Sequence, residues 1–320
     1  MEQTKLLEMI GARKTWCVTG VAGFIGSHIA ERLLALGQRV IGIDNFSTGK
    51  EENLSSLKGL EFFKKDICDP FDTELRGVDI VLHQAALGSV PRSIADPIAS
   101  HTANVTGFIN ILNAARTSGV KRFVYASSSA VYGDAVELPK REDKIGTVLS
   151  PYAATKRIDE IYARVFADCY GMQNVGLRYF NVFGPRQDPK GAYAAVIPFW
   201  IDSLVSGQQC FINGDGSTSR DFCFVDNVVE ANILAGLALK TSPVYNIACG
   251  GRITLVELYQ MIARAVCGAD YPPVQFRDFR DGDVLHSNAD ISRAEKELGY
   301  RVLVAAEEGL KRTVESFLKA

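Results

Sequence analysis

The chain has 320 residues, 47% of them hydrophobic and 22% charged, with a formal net charge of −2. That is the make-up of a soluble globular protein with room for a substantial core, in one large domain or two closely joined ones. Lys and Arg are scattered and nearly balanced by Asp and Glu, so no basic field for nucleic acid exists.

The seven cysteines are odd in number and show no C-x-x-C spacing, and the four histidines show no metal-ligand spacing. Reduced thiols and no bound metal are expected. Glu2 and Glu8 flank a short apolar stripe at the amino terminus, without the basic region, apolar core or cleavage site of a signal peptide. No stretch approaches the roughly 18 uninterrupted apolar residues of a membrane span. A cytoplasmic protein without a membrane partner is expected.

The spacing predicts strands near 15–19, 39–43, 60–64, 79–83, 121–127 and 174–178, separated by helices near 24–36, 69–76, 91–118 (broken at Asp96-Pro97) and 151–170. This alternation specifies an α/β fold with a parallel, doubly wound sheet of the Rossmann type. Ser150-Pro151 offers an N-cap and a favourable first residue to the last helix. Beyond Tyr179 the elements shorten: helices near 195–206, 227–239, 254–266, 290–298 and 306–318, and a strand at 209–212. Residues 1–180 therefore read as a nucleotide-binding domain and 181–320 as a smaller mixed α/β substrate domain. The strand-then-helix pattern from Phe222 suggests a return to the main sheet within 222–245.

Between the first strand and the first helix lies Gly20-Val21-Ala22-Gly23-Phe24-Ile25-Gly26. Glycines there let backbone N–H groups at a helix N-terminus approach a pyrophosphate. Asp44 ends the second strand 18 residues beyond Gly26, near the spacing at which a carboxylate meets the adenosine ribose hydroxyls. A 2′-phosphate would meet a like charge, so NAD is expected rather than NADP.

Tyr152 and Lys156 fall four apart on one helix face. The strand 121–127 runs into Ser127-Ser128-Ser129 at its carboxyl end, where open α/β sheets bind ligands. A free tyrosine, with a pKa of about 10, is a poor base at neutral pH, but a neighbouring ammonium and a cationic nicotinamide both favour phenolate. Lys156 offers the first and NAD the second, while a serine hydroxyl orients the substrate alcohol.

With Gly20/Gly23/Gly26, His83-Gln84-Ala85-Ala86, the Ser cluster followed by Val131-Tyr132-Gly133, and Tyr152/Lys156 in place, the chain resembles the extended short-chain dehydrogenase/reductase family, specifically its nucleotide-sugar 4-epimerases. The likeness covers about residue 12 to the carboxyl end. The segments Leu82–Ser93, Arg178–Gly184, Arg186–Pro189 with Gly191–Pro198, and Asn213–Phe222 are similar to bacterial UDP-N-acetylglucosamine 4-epimerases of surface-polysaccharide synthesis.

That resemblance implies Tyr152 as catalytic base, Lys156 as its activator and ribose ligand, and Ser128 as hydroxyl partner. Ser127 and Ser129 stay open because loop lengths vary among relatives. For NAD it implies Phe24 and Ile25 at the pyrophosphate, Asp44 and Asn45 at the ribose, and Asp66 and Ile67 at adenine. Gln84, Ala85, Ala86 and Asn104 follow along the strand edge, with Tyr179 near the nicotinamide. For the nucleotide sugar it implies Asn181, Arg220, Arg280 and Asp283 at the diphosphate and ribose. Gly88, Ser89, Ser128, Ser129, Ala195, Val196 and Ser287 would surround the sugar. A bulky aromatic in the glucose-specific relatives matches Ser287, so the serine leaves room for an N-acetyl group.

The implied reaction is reversible inversion at carbon 4 of UDP-N-acetylglucosamine, with UDP-glucose as a further substrate, through a 4-keto sugar. Sugar 4,6-dehydratases carry an acid where this chain has Ala130, which favours simple epimerisation. Two rivals stand beside it. One is a 4-epimerase of UDP-N-acetylglucosaminuronate or UDP-glucuronate, with Arg92 and Arg186 as partners for the carboxylate. The other is a non-enzymatic NAD-binding protein of the same fold, although such proteins commonly lack the Tyr-Lys pair. The helices near 91–118 and 151–170 would build a four-helix homodimer interface.

Overall fold

The computed structural model describes residues 6, 9–71, 73–190, 195–279 and 285–319. In chain order the first half comprises β1 (Thr15–Thr19), α1 (Phe24–Ala35), β2 (Arg39–Asp44), β3 (Glu61–Lys64), β4 (Ile80–His83), α2 (Val90–Ala95), α3 (Pro97–His101), α4 (Gly107–Thr117), β5 (Arg122–Ser128), α5 (Pro151–Tyr170) and β6 (Asn174–Tyr179). The second half adds β7 (Val182–Phe183), α6 (Val196–Val205), β8 (Phe211–Asn213), β9 (Ser219–Arg220), β10 (Cys223–Phe224), α7 (Val225–Leu237) and β11 (Val244–Ile247). It closes with β12 (Ile253–Thr254), α8 (Leu255–Cys267), β13 (Gln275–Arg277), β14 (His286–Ser287), α9 (Ser292–Leu298) and α10 (Ala306–Leu318).

Seven strands form one parallel sheet in the order β11-β6-β5-β4-β1-β2-β3. β1 and β4 are buried along most or all of their length, as sheets covered on both faces require. The order reverses at β1, which puts a crevice for ligand above the carboxyl ends of β1 and β4. One face packs Val18, Leu82, Val124 and Leu177 against α1 and α7; the other packs Val81, Phe123 and Tyr125 against α4 and α5.

Local chemistry sets the helix ends that frame this crevice. Ser150 caps α5 by accepting from the Ala153 N–H at 3.1 Å, Pro151 fills the first turn, and Gly171 closes the helix at φ 67°. Asp96 ends α2 and caps α3, accepting from the Ala99 N–H at 2.9 Å, so the expected break at Asp96-Pro97 becomes a change of helix axis. A π-type turn, Thr102–Thr106, then leads into α4.

Two expectations differ from the fold. Residues 69–76, expected as a helix, run as turns wherever they are described. Pro70 lacks an N–H and restrains Asp69, and Gly77 at φ 73° turns the chain into β4 while Leu75 and Val78 are tucked into the core. The run after Phe222 pairs β10 with β7 in a small separate sheet, and the return to the main sheet is made by β11.

Candidate active site

Gly20 sits at φ 69° directly after β1, and a Cβ there would lie 2.7 Å from the Ala85 nitrogen; a Cβ on Gly26 would lie 2.1 Å from the Gly20 carbonyl oxygen. The turn can therefore be made only without side chains at these positions. Gly23 is the N-cap of α1 and, among the described residues, no side chain caps this end. Phe24 and Ile25, in its first turn, line the cleft at the positive end of the helix dipole, which fits a pyrophosphate.

Asp44, 8% exposed at the end of β2, has two tasks. One carboxylate oxygen accepts from the Ala22 N–H at 2.9 Å and the other from the Phe46 N–H at 2.7 Å. The acid thus braces the glycine turn and holds Phe46 in the left-handed region at φ 61°. Beside it, the Asn45 amide donates to Asp66 at 2.7 Å. The Cys68 N–H, at 2.8 Å, holds the Asp66 carboxyl below the usual range against the opposing effect of burial, with a smaller contribution from Asn45. Asp44, Asn45, Asp66 and Ile67 thus form one acceptor-rich ledge, which fits an adenosine.

A cleft of about 900 Å³ continues from Phe24 and Ile25 past Gln84, Ala86 and Gly88 to Ser128, Ser129, Tyr152 and Lys156, and ends at Asn181, Arg220 and Ser287. Within it Tyr179 donates its hydroxyl to Gln84 at 3.1 Å and accepts from Asn232 at 2.8 Å; burial pushes its ionisation well above the ordinary tyrosine value. Strand register separates the serines. Ser127 is opposite Arg178 and Ser128 opposite Tyr179 in the β5–β6 pairing. The Ser127 hydroxyl points into the protein, donating to Glu160 at 2.7 Å, whereas Ser128 is on the face shared with Tyr179. Ser128 Oγ also accepts from the Ala130 N–H at 3.1 Å, which starts the tight turn Ser129–Tyr132.

Lys156 is 2% exposed, and two of its three N–H bonds have acceptors: the Ala126 carbonyl at 3.0 Å and Asp159 at 3.2 Å. Behind it, His83 shares a 2.8 Å hydrogen bond with Thr19, and burial, aided by Lys156, pushes its imidazole down to about 3. It is neutral at physiological pH.

At the far end, Asn181 adopts φ 32° between β6 and β7, its amide donating to the Asp221 carbonyl at 3.2 Å. The Asp221 carboxylate gathers the N–H groups of Cys249 at 2.8 Å, Gly250 at 2.9 Å and Ala289 at 3.3 Å. Burial nonetheless pushes it up to about 6, the three donors working against that rise. Ser89 caps α2, and Ala195 and Val196 start α6, outside the lining of the cleft. Arg280 and Asp283 lie outside the described residues, as does the 191–194 part of the Gly191–Pro198 segment.

Asn104, expected at the cofactor, is 1% exposed and clips protein to protein in this structure. It accepts from the Leu87 N–H at 2.7 Å and donates to the Thr155 hydroxyl at 3.1 Å, so both ends of its amide are used. Sequence reading also missed the buried frame behind the serines. Arg178, 1% exposed, grips Glu160 through two bonds of 2.8 and 2.9 Å and donates to the Tyr132 hydroxyl at 3.0 Å. Nothing local in the chain pairs residues 18 apart on a helix and a strand; only the register does.

Fold and cleft together define a doubly wound dinucleotide-binding protein with a Tyr-Lys pair facing the cofactor crevice. Residues 16–248 match the NAD dependent epimerase/dehydratase family. The chain is 39% identical over 307 residues to a UDP-glucose 4-epimerase of Mycolicibacterium smegmatis, covering 94% of this chain and 97% of that one. Among solved structures it is similar to a UDP-N-acetylglucosamine 4-epimerase from Methanobrevibacter ruminantium in complex with UDP-N-acetylmuramic acid, with a TM-score of 0.91 and 39% identity over 96% of this chain and 99% of that one. A Thermotoga maritima UDP-glucose 4-epimerase with UDP-glucose gives a TM-score of 0.89 and 38% identity over 95% and 99% of the two chains. The chain belongs to the NAD dependent epimerase/dehydratase family, on its nucleotide-sugar 4-epimerase branch, and its cofactor is NAD.

Proposed function

We propose that the protein interconverts UDP-N-acetylglucosamine and UDP-N-acetylgalactosamine by inverting carbon 4, and that it also accepts UDP-glucose. The observation that carries this reading is the shared cleft: Ser128, Tyr152 and Lys156 at its middle, and the small residues Gly88 and Ser287 with Arg220 toward its substrate end. Bound NAD supplies a reversible hydride acceptor, so the cycle needs no other oxidant. Tyr152 takes the proton of the sugar's 4-hydroxyl and later returns it. The Lys156 ammonium favours the phenolate, and its remaining N–H would be available to the cofactor ribose. Ser128 aligns the hydroxyl. Arg220 and Asn181 hold the diphosphate while the oxidised sugar turns over.

Acid-selective epimerisation has less support. Arg186 bonds Glu31 at 2.8 Å and Ser27 at 3.3 Å on α1, and neither Arg92 nor Arg186 lines the cleft. A homodimer belongs to the same proposal: Ile94, Ile98, Ile161 and Val165, on α2, α3 and α5, are 64%, 74%, 47% and 45% exposed, an apolar surface suited to a second copy. Purified protein incubated separately with UDP-N-acetylglucosamine, UDP-glucose and the corresponding uronic acids, with products identified by proton NMR, tests the reading. Conversion of the uronic acids alone would overturn it.

A further inference from the structure

Asp159 is a carboxylate in an unusual position. It lies one turn along α5 from Lys156, is fully buried, and accepts from the Lys156 ammonium at 3.2 Å through one oxygen. Its other oxygen is buried without a hydrogen-bond partner among the described residues. Glu160, the next residue, is fully engaged by contrast, held by Arg178, Arg157 at 2.9 Å and Ser127. A buried carboxylate oxygen without a partner is uncommon and calls for an explanation.

The charges around Asp159 are few. On its own helix Lys156 favours its ionised form and Glu160 opposes it. Tyr125, facing it from β5, stays protonated, its ionisation pushed well up by burial and by both acids. Arg178 on β6 is occupied by Glu160, and His83 on β4, beside Lys156, is neutral. The packed helices α2 to α4 and their junction carry Arg92, Asp96, His101 and Arg116. Asp159 and Lys156 therefore form a buried, directly bonded pair in a low-dielectric setting, where each strongly governs the other's effective charge.

We propose that Asp159 is a positioning residue that tethers the Lys156 ammonium and, by offsetting its charge, restrains ionisation of Tyr152. This rests on the roles given above to Tyr152 and Lys156. The tether fixes the ammonium between Ala126 and Asp159, so that its third N–H has one direction left. The charge acts with a definite sign. An ionised Asp159 cancels part of the field of Lys156, which disfavours phenolate, and a protonated Asp159 releases that field. Burial pushes the Asp159 carboxyl up to about 7, against the pull of Lys156. The restraint thus comes on as pH rises and Asp159 ionises, and it acts on Tyr152 through Lys156. Two such sites titrate against each other, and the phenolate appears over a broader pH range than a single proton gives.

Asp159→Asn keeps an oxygen that accepts from Lys156 and removes only the charge; Asp159→Leu removes both. Two readouts are required. The first is the pH profile of kcat on UDP-N-acetylglucosamine. The second is the near-ultraviolet phenolate band of the NAD-loaded enzyme, with the Tyr152→Phe protein subtracted, which needs no turnover. In the wild type the phenolate should appear with a slope shallower than one proton. In Asp159→Asn it should appear at a pH lower by about one unit and with a single-proton slope, and the acid limb of kcat should follow. Asp159→Leu should in addition lose NAD retention as the ammonium swings free. Superimposable phenolate curves for wild type and Asp159→Asn overturn the proposal, as does a single-proton slope in the wild type, which requires no variant to fold. Absence of turnover on every UDP-sugar by the wild type, with the phenolate shift present, would instead refute the epimerase reading and leave this one standing.

Discussion

Ser287 is paired with Arg220 in the parallel register of β14 with β9, and both residues line the cleft. A guanidinium suited to a diphosphate and the side chain proposed to bound the sugar therefore sit side by side on adjoining strands. Enlarging residue 287 should intrude on the sugar while leaving the diphosphate contact in place. Ser287→Tyr is expected to abolish activity on UDP-N-acetylglucosamine and to spare or improve that on UDP-glucose, whose smaller hydroxyl still fits. Comparing kcat/KM on the two sugars checks this; equal losses would indicate general damage.

Tyr152→Phe removes only an ionisable hydroxyl, so turnover should fall by about a hundred- to ten-thousand-fold while UDP-sugar binding, followed by calorimetry, stays near wild type. A variant that keeps half its activity rules out Tyr152 as base. Lys156→Met should slow turnover and also release NAD, because the lysine serves both.

The serine register makes a third comparison possible. Ser128→Ala should lower kcat with little change in thermal stability. Ser127→Ala should leave kcat closer to wild type and lower the melting temperature instead, since it strips a buried hydrogen bond from Glu160, at about 1–3 kcal/mol. The reverse order would place the catalytic hydroxyl at 127.

The Arg178–Glu160 pair ties β6 to α5 beneath these groups. Arg178→Met would leave the buried Glu160 carboxylate with only Arg157 and Ser127 and should cost about 1–3 kcal/mol, readable as a lowered denaturant midpoint. Burial works to raise the Glu160 carboxyl, but the bonds from Arg178, Ser127 and Arg157 outweigh it and hold it below the usual value. The stability it contributes is fully present above the unfolded glutamate pKa of about 4.3 and is lost as pH falls through the lower folded value. The gap in melting temperature between wild type and Glu160→Gln should therefore be widest near neutral pH and close in acid.

Much of this architecture is legible in the chain because its signals are local. Apolar runs such as Val40–Ile43, the cap at Ser150-Pro151 and the glycines between β1 and α1 each act within a few residues, and each has the expected structure. What was missed depends on partners distant in sequence. Ser127 and Ser128 are equivalent until β6 is laid beside β5. The bonds of Asn104 to Leu87 and Thr155 likewise join segments far apart in the chain. Asp159 looks like an ordinary helix-surface acid, and only the packing of α5 on the sheet buries it against Lys156. Residues 69–76 have the composition of a short helix, but a single turn after Pro70 gains too little to outlast the pull of Leu75 and Val78 into the core.

Asp44 yields the last prediction. Asp44→Ala should weaken NAD and narrow its advantage over NADP, measured by displacement titration on the apoprotein, since the charge that opposes a 2′-phosphate is gone. Finding NADP as the nucleotide released from denatured wild-type protein would contradict the role given to this acid.

The same carboxylate braces the Ala22 and Phe46 amides, so the residue proposed to select the nucleotide is also a strut of the loop proposed to receive it. A lineage drifting toward the phosphorylated cofactor could not simply trade the acid for a neutral or basic side chain. It would first have to acquire a second support for the loop, elsewhere in the chain. Cofactor identity in this protein is thereby shielded from single substitutions, and a designer seeking to reverse it should begin by rebuilding the loop.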